Sequence, residues 1–357
     1  MRKAVIFIML VLSVFAVDGT VFAADKDIKI GVVYYKFDDV YITSVRMAFE
    51  RLVAGYDNVE ALTFNSQNDQ ALQFEQIDQL IAADVDVLLV NIVDTQCAHI
   101  AVGKAEAAGL PIILFNRESE LASYSDYEGA RYVGSMALEA GIIQGEMIAD
   151  LWLSDPAYDR NGNGVLDYVM LSGDENNLEA TLRTIHSVKT VEEAGIEVAE
   201  LGSVIASWDA DKAYDAMKGW LATDIDNIDV VFANNDSMAA GAIVALQEEG
   251  FNLGQDGGSA DGGSADGGSA DGGSADGDGA GGFIPVFGVD GTEEALDLVS
   301  RGIMSGSVTQ DQQAMGEAMF KLAYNAGQGR EFLDGTDYSY DESGLAVRIP
   351  YQAFVVE

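Results

Sequence analysis

Residues 159–167 read Asp159-Arg160-Asn161-Gly162-Asn163-Gly164-Val165-Leu166-Asp167. Oxygen-bearing side chains fall at positions 1, 3, 5 and 9 of this run, and a glycine at 6 permits a sharp turn. Val165, at position 7, can offer only its backbone carbonyl. This is the donor pattern of a calcium-binding loop. The glutamate expected at position 12 is missing: Met170 stands there, within an apolar run, 168–171, that reads as a buried strand rather than an exit helix. A carboxylate from elsewhere must complete such a site, and without one the same spacing describes a polar turn.

The elements that would position this loop come from hydrophobic periodicity. Runs 28–34, 59–65, 87–92 and 111–115 read as strands, and 42–53, 71–82 and 98–108 as the helices between them. A second series begins near Tyr132. Its strands are expected at 166–171, 198–201, 230–233 and 284–289, with helices near 137–152, 179–194, 210–221 and 237–248. A helix at 294–300, a strand at 305–309 and a helix at 313–326 follow. Strands and helices alternating at this length imply an α/β fold of two doubly wound parallel-sheet domains. In such sheets ligands bind beyond the carboxyl ends of the strands. Asp38-Asp39, Asn116, Asn235-Asp236 and Asp290 stand at those ends. One polar residue after a strand is ordinarily a helix cap. Several, on both domains, point to a cleft, with Asp236 as a cap and Asn235 facing the ligand.

Asn177, Glu179 and Arg183 follow the strand after the metal loop. Together with Tyr35-Lys36-Phe37-Asp38-Asp39, Asn65-Ser66-Gln67-Asn68-Asp69-Gln70, Ala233-Asn234-Asn235-Asp236 and Pro285-Val286-Phe287-Gly288-Val289-Asp290, the chain resembles the periplasmic glucose/galactose-binding proteins. The resemblance implies a type 1 periplasmic binding protein fold with a three-segment hinge near 134–137, 310–313 and 347–351. The lobes would be 26–134 plus 313–346 and 135–312 plus 347–357. A pyranose needs planar polar side chains at its rim and aromatics on its faces. By resemblance Tyr41 and Trp208 sandwich the sugar, and Asp39, Asn116, Arg183, Asn235 and Asp290 form the rim. Asn177 stands where the family has histidine, Glu179 for an aspartate and Gln310 for an asparagine, so glucose and galactose are favoured while other monosaccharides stay open. The family's distant calcium ligand aligns with Asp229, implying a structural Ca2+ on Asp159, Asn161, Asn163, Val165, Asp167 and Asp229. The implied partners are an ATP-binding-cassette (ABC) permease and a chemoreceptor, with the protein itself a monomer. The alternative is a secreted carbohydrate-active enzyme using Asp39 and Asp290 as paired carboxylates.

The totals narrow the classes. With 59 acidic against 19 basic residues, the formal charge is −40 over 357 residues. Nucleic acid and anionic membrane surfaces require the opposite sign. An acidic surface of this kind suits a salty medium, where self-repulsion is screened, and loss of stability at low ionic strength tests that reading. One cysteine, Cys97, excludes an internal disulfide and is expected to pack as a small apolar residue. Met1-Arg2-Lys3, the apolar run 4–17 and Val21-Phe22-Ala23 form an expected secretory signal cut after Ala23, which implies a periplasmic protein with no stable membrane insertion. At 256–278, Asp-Gly-Gly-Ser-Ala repeats four times before breaking down. Lacking apolar residues larger than alanine, the 255–282 insert is expected to be a disordered loop.

Overall fold

The computed structural model describes residues 25–123, 125–254 and 282–356. The expected signal (1–23) and the repeat (256–278) lie outside the described residues. In chain order the strands are β1 (Ile28–Tyr34), β2 (Val59–Asn65), β3 (Val87–Val90), β4 (Ile112–Phe115), β5 (Ala130–Gly134), β6 (Leu166–Ser172), β7 (Val198–Ile205), β8 (Val230–Ala233), β9 (Val286–Asp290), β10 (Gly306–Gln310), β11 (Ala346–Arg348) and β12 (Tyr351–Phe354). The helices are α1 (Val40–Val53), α2 (Gln70–Ala82), α3 (Ala98–Ala108), α4 (Ala137–Ser154), α5 (Leu178–Glu193), α6 (Ala210–Asp224), α7 (Asp236–Glu248), α8 (Glu293–Ser300) and α9 (Gln312–Gly327).

Two six-stranded sheets result, ordered β11-β5-β4-β3-β1-β2 and β12-β10-β9-β8-β6-β7. Every pairing is parallel except β10 with β12. Central strands such as Val87–Val90 are wholly buried because helices cover both faces of a parallel sheet. In the first lobe one core forms under α1 and α9 and another under α2 and α3. The second lobe is likewise packed on both faces. Each sheet reverses strand order beside its first strand, between β1 and β3 and again between β6 and β8. A buried asparagine stitches each reversal: Asn91 Oδ1 accepts from the Tyr35 N–H, and Asn234 Oδ1 accepts from the Gly173 N–H.

The chain passes between the sheets three times, after β5, after β10 and after β11. Ser135 ties these passages together. Its hydroxyl accepts from Gln310 Nε2 at 2.9 Å and its carbonyl from Arg348 Nη1 at 3.2 Å. Two expectations are corrected. The strand around Tyr132 belongs to the first sheet, where Ala130–Gly134 pairs with β4 and β11, so the second series starts at α4. Residues 346–348 also belong to the first sheet, so the lobe boundary expected at 346/347 moves to Ile349-Pro350, which lies inside the hinge segment expected at 347–351. Proline has no N–H for a ladder and breaks the segment into one strand per sheet. Among the described residues no helix is long and apolar enough to cross a membrane.

Candidate functional site: an interlobe cavity and a loop of oxygen donors

A cavity of about 340 Å³, its mouth included, lies between the lobes at the carboxyl ends of the strands. The first lobe lines it with Tyr35, Asp39, Tyr41, Ile42, Asn116 and Arg117, and the second with Asn177, Glu179, Arg183, Trp208, Asn235 and Asp290. The cleft expected from the sequence is thus drawn from both lobes.

Local backbone aims these side chains. Asn116 has φ 61°, and the Arg117 N–H returns to the Phe115 carbonyl at 2.8 Å, a tight turn that directs both side chains inward. Asn91 Nδ2 and the Tyr132 hydroxyl pin that turn through Phe115 O and Asn116 O. Ser207 (φ 55°), Trp208 (φ 63°) and Asp290 (φ 129°) are also in backbone regions costly to residues with a Cβ. Such outliers persist where surrounding packing enforces them, commonly at ligand sites. Trp208 packs against Gly173, where a Cβ would come within 2.1 Å of the indole Cζ2, and its Nε1 donates to Asp174 Oδ2 at 3.0 Å.

Several residues cap a helix while facing the cavity. Asp39 Oδ1 accepts from the Ile42 N–H at 2.8 Å, and Oδ2 from the Tyr35 hydroxyl at 2.5 Å. Asn177 caps α5 through the Ala180 N–H and Asn235 caps α7 through the Met238 N–H. The expectation for Asp236 is corrected: Asn235 is the cap, and Asp236 is buried, accepting from Ser307 Oγ and the Thr292 N–H. Tyr41 lines the cavity but sits mostly in the first-lobe core, its hydroxyl 3.7 Å from Met315 Sδ. Gln310 is not brought to the cavity. Its Nε2 donates to Ser135 in the hinge, and its Oε1 is buried without a protein partner.

Arg183 organises the charge. Its guanidinium donates to the Asn234 carbonyl and the Tyr351 hydroxyl, both at 2.8 Å, and lies 3.6 Å from Asp290. Burial disfavours its charge, but Tyr351, Glu179 and Asp290 hold it firmly protonated. Burial pushes the Glu179 carboxyl up to about 7 and Asp290 well above the carboxylate range, against the pull of Arg183. Five buried polar atoms here make no hydrogen bond within the protein: Asn177 Nδ2, Glu179 Oε1, Arg183 Nε, and Arg117 Nε and Nη1. Unpartnered buried polar atoms are costly and therefore rare. Tyr35, Arg117 and Tyr351 had not been singled out from the sequence. Tyr35 enters the sequence reading only as part of the run Tyr35-Lys36-Phe37-Asp38-Asp39.

The 159–167 loop closes on itself. Asp159 accepts from the Gly162, Asn163 and Gly164 N–H groups, and Gly162 (φ 72°) and Gly164 (φ 80°) make the turns. Asp229, just before β8, joins it by accepting from the Arg160 and Asp167 N–H groups. Asp167 Oδ2 receives the Asn161 and Asn163 amides at 2.8 Å each. Burial raises the Asp229 carboxyl, and Asp167 and Asp159 add repulsion. The donors are all oxygen and include three carboxylates, which fits calcium chemistry. Among the described residues no three His, Cys, Asp or Glu side chains alone form a metal-holding group. An ion here therefore needs the asparagine oxygens and the Val165 carbonyl as well, with both amides turned from Asp167. Cys97 is partly exposed, and burial and Asp94 push its thiol up, away from reactivity.

Comparison with known proteins agrees with this geometry. A family profile described as "Periplasmic binding protein domain" matches residues 30–331. The D-galactose/methyl-galactoside binding periplasmic protein MglB of Haemophilus influenzae is 33% identical over 331 residues, 92% of this chain and 89% of that one. A putative rhizopine-binding protein of Rhizobium meliloti is 30% identical, covering 82% of each chain. Among solved structures, an ABC transporter solute binding protein from Bacillus halodurans with bound myo-inositol superposes with a TM-score of 0.70 at 26% identity, covering 93% of this chain and 95% of that one. These matches accompany two wound lobes, a triple hinge and a polar interlobe cavity, and the chain belongs to the periplasmic binding protein family.

Proposed function

We propose that this protein binds a monosaccharide, D-galactose or D-glucose foremost, between its lobes and delivers it to an ABC permease from the periplasm, with a chemoreceptor as a second reader of the closed form. The observation that carries this reading is the set of unpartnered buried donors and acceptors on Asn177, Glu179, Arg183 and Arg117 around one small cavity. Sugar hydroxyls are donor and acceptor at once and match such a mixed set. Trp208 offers the apolar face, and the aliphatic face of Ile42 lines the cavity beside Tyr41. The naming of the Haemophilus influenzae relative for galactose supports the hexose choice. Membership of a solute-binding family sets aside the enzyme alternative for Asp39 and Asp290.

We further propose that Asp159, Asn161, Asn163, Asp167, Asp229 and the Val165 carbonyl hold a structural Ca2+. It would neutralise the crowded carboxylates and tie the loop before β6 to the start of β8. A calorimetric screen of monosaccharides against the protein tests the main reading. One-to-one binding of galactose or glucose at micromolar concentration is expected. Binding of neither, with another solute class bound instead, would reject it.

A further inference from the structure

We propose that the Arg117–Asp174 ion pair is an interlobe latch that positions the aromatic face of the site, which makes Arg117 and Asp174 positioning residues for Trp208. The inference rests on the reading of the cavity as a sugar site. Arg117 follows β4 in the first lobe, and Asp174 follows β6 in the second. Their Nη2–Oδ2 distance is 2.8 Å, with the arginine side chain 5% and the aspartate 20% exposed. Among the described residues no other ion pair joins the two lobes. Nearby, Thr95 Oγ1 donates across the same gap to the Asn176 carbonyl at 3.2 Å.

The same Asp174 oxygen receives the Trp208 indole N–H at 3.0 Å. Asp174 itself does not line the cavity, whereas Arg117 and Trp208 both do. Across the guanidinium, the Tyr35 ring lies 4.4 Å from the Arg117 carbon, and the Tyr35 hydroxyl donates to Asp39. One aspartate therefore couples three things: the approach of the lobes, the angle of the indole and the placement of Arg117. With Nη2 seated on Asp174, Arg117 lines the cavity and two of its nitrogens, Nε and Nη1, are buried without a protein partner. Lobe closure and ligand contact are then one event. A part-buried charge pair of this kind acts on how long the closed complex lasts more than on how fast it forms.

The test is stopped-flow tryptophan fluorescence with D-galactose and D-glucose as probes, on wild type, Asp174→Asn, Asp174→Glu, Arg117→Met and the Arg117→Met/Asp174→Asn double variant. Asp174→Asn should raise the dissociation rate about tenfold or more, with the association rate changed by less than about threefold. Asp174→Glu should recover part of the loss. The double variant should be no worse than Arg117→Met alone, because the two residues act as a unit. An unchanged dissociation rate in Asp174→Asn, or effects that simply add, would overturn the latch. If Asp174→Asn does not fold, Arg117→Lys replaces it: keeping the charge but losing the planar fork, it should also speed dissociation, and no change overturns the proposal. Should the wild type bind neither sugar, the sugar reading falls by itself. The latch is then read from small-angle scattering of ligand-free protein, where Asp174→Asn should enlarge the radius of gyration and an unchanged radius overturns it.

Discussion

Replacing Gly173 by alanine isolates the contribution of the indole position to binding. Gly173 does not use a left-handed backbone, so alanine meets no φ penalty, but its Cβ would stand 2.1 Å from Trp208 Cζ2, 2.2 Å from Cη2 and 2.5 Å from Cε2. Carbon atoms rest at about 3.5–4.0 Å, so the indole must retreat by about 1.5 Å. That movement breaks the 3.0 Å bond from Nε1 to the Asp174 carboxylate and tilts the aromatic face away from the ligand. A hydrogen bond to a charged group contributes about 1.5–3 kcal/mol, and an aromatic contact about 0.5–1.5 kcal/mol. Together these come to about 2–4.5 kcal/mol, so sugar affinity should fall by about thirtyfold to a thousandfold, since 1.4 kcal/mol is a factor of ten. Titration calorimetry with galactose measures the fall, tryptophan emission reports the displaced indole, and thermal unfolding verifies that the variant is folded. Gly219→Ala is the control. It lies in α6 with nothing within 4 Å of its added Cβ, and should be neutral or stabilising by up to about 1 kcal/mol. If Gly173→Ala binds within twofold of wild type with unshifted emission, the indole is not held where the sugar needs it and the argument fails.

Burial raises the Glu179 carboxyl to about 7 from an ordinary 4.5, so the stability it contributes is present below about pH 4.5 and lost as pH rises through 7. Thermal unfolding of ligand-free protein at fixed salt should show a loss on the order of 3 kcal/mol between those limits, reduced in Glu179→Gln; an equal loss in that variant would reject this assignment. Chelation should lower the melting temperature of calcium-loaded protein, with calcium restoring it better than magnesium and Asp229→Ala blunting the response; indifference to chelator and calcium would leave the loop a turn. Deleting 256–278 should leave sugar affinity within about twofold, because the flanks already meet, with the Asn252 N–H on the Gly282 carbonyl and its side chain on the Ile284 and Ile303 carbonyls. A large loss of folding or binding would show that the repeat is structured or contacts the cleft.

Local pattern determined much of this protein. The alternation of short apolar runs with amphipathic stretches is a backbone-period signal, and it located β1, β2 and β8 and the helices α3 and α4 to within a few residues. Strand ends mark the ligand edge of a wound sheet, which is why Asp39, Asn116, Asn235 and Asp290 were legible as cavity residues. The 159–167 spacing is likewise local, and the loop folds on its own N–H groups. What the tertiary structure decided lies across the hinge. Arg117 follows a strand like other polar residues, and nothing in its neighbours marks that its partner, Asp174, stands on the other lobe. Tyr351 reaches Arg183 only because Pro350 breaks the last strand and turns the chain onto the second sheet. Gln310 sits at a strand end like the cavity residues, yet Ser135 captures its amide, so position alone could not tell a hinge tie from a ligand contact. Period and spacing act within a few residues, whereas an interlobe cavity is set by how three separate passages hold two sheets together, a relation that no short stretch of chain encodes.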